Sequence, residues 1–71
     1  MTNKAKKIEA LNNRIDALES KLAQVEERID ATTNPRSKFL LSEEADALIY
    51  WIDEYSMQYN SLAFELHLTA A

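Results

Sequence analysis

The 71 residues contain no cysteine and no glycine, and only one proline and one histidine. Without Cys there are no disulfides and no thiolate zinc sites. A single His excludes a His cluster within the chain. The lack of Gly disfavours positive-φ turns, β-hairpins and Gly-rich phosphate loops. The core of so short a chain rarely contributes more than about 3–5 kcal/mol, and the usual supports are disulfides, metals or oligomerisation. With the first two removed, the sequence predicts oligomerisation. There is also no Lys or Arg beyond Lys38. Residues 42–71 therefore carry six acidic and no basic side chains, whereas residues 1–41 carry eight basic and six acidic ones. Such polarity suits the alignment of chains or the attraction of a basic partner. No apolar signal segment follows Met1–Lys7, and the longest apolar run, Ala47–Ile52, is far too short to span a bilayer. These absences predict a soluble protein, cytoplasmic or part of a virion, with no membrane partner.

What is present is helix-forming. Ala, Leu, Glu and Lys dominate, so the fold class expected is all-α, in one small domain over residues 1–71. The first ordered signal is a heptad stripe. Ile8, Leu11, Ile15, Leu18, Leu22, Val25 and Ile29 are separated by steps of 3, 4, 3, 4, 3 and 4. Ile8, Ile15, Leu22 and Ile29 take position a, and Leu11, Leu18 and Val25 take d. One helix cannot bury such a stripe on itself, so another must lie against it. Helix 1 is expected over about residues 3–31, capped by Thr2 or Asn3. Lys4, Lys6 and Lys7 near its start oppose the helix dipole and make a weak case for a nucleic-acid arm.

The columns flanking the stripe suggest which helix that is. Lys7, Arg14, Lys21 and Arg28 occupy g, while Asn12, Glu19 and Glu26 occupy e. In a parallel, in-register pair of identical helices, Arg14 meets Glu19 and Lys21 meets Glu26 of the neighbouring chain. Antiparallel pairing of helix 1 with itself sets like charge against like. The expectation is a parallel homo-oligomer, with the charges selecting orientation more than stabilising it. Arg14-Ile15-Asp16-Ala17-Leu18-Glu19 resembles the Arg-apolar-x-x-apolar-Glu signature of three-stranded coiled coils. A trimer is thus favoured and a dimer comes next. Ala10, Ala17 and Ala31 at c either belong to a solvated face or let a second helix approach.

Residues 32–42 read as a structured connector. Thr32, Thr33 and Asn34 are poor helix formers, and Pro35 disfavours helix at Asn34. Asn34 could instead cap a short turn with Pro35 at its first position. Phe39, Leu40 and Leu41 are too apolar for a free linker and are expected to pack on a helix. Ser42, followed by Glu43, Glu44 and Asp46, makes a credible N-cap for helix 2, expected over about residues 43–67. Residues 43–71 form an aromatic, acidic helix with its own heptad stripe of Ala45, Leu48, Ile52, Tyr55, Tyr59, Leu62 and Leu66, extended backwards by Leu41. Tyr50, Met57, Phe64 and Leu68 lie on roughly the opposite side, with Trp51 beside them. Helix 2 is thus sandwiched or open to a partner, and it either folds back as a hairpin or forms a separate bundle.

No catalytic constellation is apparent. His67 and Glu65 do not share a helix face, Ser56 and Ser61 have no base, and Glu-x-x-His is absent. No cofactor site and no metal site are expected. The function expected is non-enzymatic, that of a homo-oligomeric coiled-coil adaptor or assembly protein. Its composition is akin to that of small proteins of phage particles. The alternative is an acidic regulatory or inhibitory protein that binds a protein partner through helix 2. A dimeric four-helix bundle that binds nucleic acid comes third, its charge being of the wrong sign except at the N-terminus. Tyr50, Trp51, Met57 and Phe64 are the candidate partner surface, aromatics being enriched in binding hot spots.

Overall fold

The computed structural model describes residues 3–70, and the side chains of residues 3–68. The proposed cap at Thr2 lies outside the described residues. Two helices account for nearly all of it: α1, Asn3–Ala31, and α2, Pro35–Ala70. They pack against each other as a hairpin, a rod of 54 × 15 × 14 Å. No strand occurs among the described residues. The first helix lies where its heptads place it. Among the described residues no helix is long and apolar enough to cross a membrane.

The turn is shorter than the composition of residues 32–42 suggests, and α2 begins eight residues before the expected Glu43. Asn34 is the reason. Its Oδ1 accepts hydrogen bonds from the backbone N–H of Arg36 at 2.9 Å and of Ser37 at 3.2 Å. Its carbonyl accepts the first helical bond, from Lys38 N–H at 2.9 Å. Pro35 at the first helical position has no N–H to leave unpaired, and its φ suits a helix start. Asn34-Pro35 is therefore a complete start signal. Thr32 N–H closes the end of α1 on the carbonyl of Ile29 at 3.3 Å. Ser42 lies exposed within α2 and is not its cap. Of the apolar trio after the turn, Leu41 packs on the core, while Phe39 and Leu40 stay exposed rather than packing back.

The core is the meeting of the two stripes. Read backwards from Ile29, the α1 stripe steps by 4, 3, 4, 3, 4, 3; read forwards from Leu41, the α2 stripe does the same. In an antiparallel hairpin this register sets Ile29 opposite Leu41, Val25 opposite Ala45, Leu22 opposite Leu48, Leu18 opposite Ile52, Ile15 opposite Tyr55, Leu11 opposite Tyr59 and Ile8 opposite Leu62. Val25, Ala45 and Leu48 form the buried cluster, with Leu18, Leu22, Ile29 and Leu41 packed around it. Leu11 is buried further along the rod. Where the large Leu22 and Leu48 meet, the adjoining Val25–Ala45 layer is small, which keeps the helices close. Each fully buried Leu or Val stabilises the fold by about 1.5–3 kcal/mol. No polar or charged side chain is buried among the described residues, so no desolvation cost offsets this gain.

Candidate interaction surface

The two edges of the hairpin differ. With Ala45, Ile52, Tyr59 and Leu66 at a and Leu41, Leu48, Tyr55 and Leu62 at d of α2, antiparallel pairing brings g of α1 alongside g of α2, and e alongside e. The g edge carries Lys7, Arg14, Lys21 and Arg28 from α1 with Glu44, Trp51, Gln58 and Glu65 from α2. At its open end Lys4 Nζ lies 3.2 Å from Glu65 Oε2. Midway, the Arg14 guanidinium sits 5.6 Å from the centre of the Tyr55 ring. Tyr55 stacks on Trp51 at 5.8 Å with the planes 29° apart. Trp51 in turn meets Tyr50 edge-on at 5.2 Å and 87°. This row of cation and rings seals one side of the hairpin at its middle. A shallow groove of about 190 Å³ lies beyond it, lined by Lys7, Ala10, Leu11, Arg14, Gln58 and Leu62. It falls below the roughly 300–1,000 Å³ of small-molecule sites.

The stripe Ile8–Ile29, expected to join separate chains, lies against α2 of the same chain, with Leu11 and Val25 buried and its other five residues half-buried. The oligomer predicted from that stripe took α1 as its own partner. Set against α2 instead, the cations of α1 find Glu44 and Glu65 on the same edge. Arg14, Glu19, Lys21 and Glu26, expected to pair between chains, are all exposed.

The candidate partner residues fall into two groups. Trp51 belongs to the g edge, beside the core. Tyr50, Met57 and Phe64 recur every seven residues at position f, the side of α2 turned away from α1. They are 55%, 66% and 63% exposed. Leu68 extends this face at 59%, and Ile49 adds to it from the e side at 45%. Together with Ala47 these residues make a second heptad stripe. Ala47, Tyr50, Glu54, Met57, Ser61, Phe64 and Leu68 step by 3, 4, 3, 4, 3 and 4 through c and f. The sequence reading named most of its members but not its period. Phe39 and Leu40, exposed near the turn, were missed as surface because they were assigned to a connector. No group of three or more His, Asp or Glu able to hold a metal occurs among the described residues.

The chain is thus a capped, all-helical hairpin with an inner seam between its helices and an exposed outer stripe on α2. The model of effector-associated domain 9 matches residues 1–62, most of the chain, and the chain belongs to that family. No curated protein and no solved structure gives a match.

Proposed function

We propose that this chain is a non-enzymatic protein-association module, an adaptor that engages a partner protein through the outer face of α2. The observation that carries this reading is the exposed stripe of Tyr50, Met57, Phe64 and Leu68. Monomers seldom leave large apolar side chains contiguous and bare unless something binds there. The exposed surface as a whole supports it. The chain exposes 5592 Å², whereas a compact monomer of its mass exposes about 4,500 Å². The family's description, effector-associated, suits a domain that accompanies another protein. Of the two sequence readings, the one in which helix 2 binds a partner is the better supported, since the α1 stripe is occupied. The composition akin to phage-particle proteins has no counterpart among the matches, and assembly in such a particle is not part of the proposal.

The test is a photo-crosslinking residue placed at Met57 and, as a control, at Ser20 on the outer face of α1. Activated in cells that express the chain, position 57 is expected to yield a discrete protein adduct that Phe64→Glu abolishes, while position 20 yields none. Equal adducts from both positions, or an adduct that survives Phe64→Glu, would overturn the assignment of the face.

A further inference from the structure

Resting on that reading, we infer that the outer stripe of α2 seats a basic amphipathic helix of another protein, with its cations beside Asp46, Asp53 and Glu54. The shape of the stripe selects a helix. A line spaced as heptads, with Tyr50, Met57 and Phe64 every seven residues and Glu54 and Ser61 between them, follows the axis of a partner helix. Ala47 and Ser61, small residues within the line, allow close approach between the large side chains of Tyr50, Met57 and Phe64.

Charge selects the sign of the partner. The half of the chain that carries this face holds six acids and no Lys or Arg. Asp46 and Asp53 fall at position b, flanking the stripe, and Glu54 falls within it at c. None of the three has an ion-pair partner among the described residues. Four of the six cations of α1, Lys7, Arg14, Lys21 and Arg28, lie on the g edge, towards the seam. A second copy laid α2 against α2 would bring acid to acid, which electrostatic complementarity disfavours. A helix with Lys or Arg beside its apolar stripe meets an opposite charge on the flank.

The experiment uses the full chain and two labelled peptides of about 21 residues, long enough to follow the stripe at 1.5 Å per residue. One has Leu at a and d with Lys at e and g; its twin has Glu for every Lys. Binding is read by fluorescence anisotropy, and the chain's mass by light scattering. The Lys peptide is expected to bind at least about tenfold more tightly than the Glu peptide. Phe64→Glu is expected to weaken that binding about tenfold although it adds a negative charge, and Asp53→Lys to weaken it several-fold. Equal binding by Phe64→Glu would reduce the effect to bulk charge attraction and overturn the proposal. Equal binding of both peptides, each lost in Phe64→Glu, would overturn the basic partner yet leave the face as a docking site. Binding of neither peptide would also overturn it, leaving the crosslinking result to decide the adaptor reading separately. A chain at twice 8.1 kDa that Met57→Glu returns to single mass would show that a second copy covers the stripe, again against the proposal.

Discussion

The two faces of α2 carry the same period and opposite fates. Leu41, Ala45, Leu48, Ile52, Tyr55, Tyr59, Leu62 and Leu66 repeat as heptads and lie under α1. Ala47, Tyr50, Met57, Phe64 and Leu68 fit a heptad as well and lie bare. A heptad stripe thus states that a helix will cover it without stating which helix. The inner stripe is covered because it is apolar or aromatic at every heptad position and Asn34-Pro35 folds the chain at the turn. The outer stripe, interrupted by Glu54 and Ser61, lies on the side of α2 turned away from α1.

Substitutions on the two faces should separate along this line. The largest effect is expected from Leu48→Glu. It places an unpaired charge in the buried cluster, at a cost of more than about 3 kcal/mol, comparable with the stability of so small a core. Circular dichroism should show loss of helix at 25 °C. Leu48→Ala leaves a cavity beside Val25 and should cost about 2–4 kcal/mol, read as a lowered denaturation midpoint. Asn34→Ala removes the acceptor for two backbone donors at the turn and should cost about 1 kcal/mol. Lys4→Ala breaks an exposed ion pair at the open end and should change stability by less than about 0.5 kcal/mol. Met57→Glu should likewise leave the fold within about 0.5 kcal/mol while abolishing the adduct from the outer face. If Met57→Glu melted the chain as Leu48→Glu does, the distinction between the faces would fail.

Much of this fold is legible in the residues. The heptads of α1 place that helix correctly, and the aromatic column opposite the α2 seam is visible at Tyr50, Met57 and Phe64. Two features were harder to read. Asn34-Pro35 resembles a break when judged by helix propensity, because both residues are poor inside helices; their value at a helix start depends on the hydrogen bonds from Arg36 and Ser37. Ser42 with its following acids imitates a start more convincingly, yet it sits on an exposed side of a helix already under way. The second feature is the choice of partner for α1. Its g and e charges suit a parallel copy of itself, and its g cations also share an edge with Glu44 and Glu65 of α2. Local charge cannot decide between the two. Heptad spacing does not decide it either, since both faces of α2 carry it; the packing of Leu18, Leu22, Val25 and Ile29 on Leu41, Ala45 and Leu48 appears only in the folded chain.

The central claim is that the inner seam closes within one chain. The most direct measurement is the thermal midpoint of the Met57→Glu chain, in which the outer face is disabled, as a function of protein concentration. A seam filled by the chain's own second helix gives a midpoint unchanged over about a hundredfold dilution, because no association is linked to folding. A midpoint that falls steadily on dilution would mean that the seam is filled by another chain, and would contradict the account.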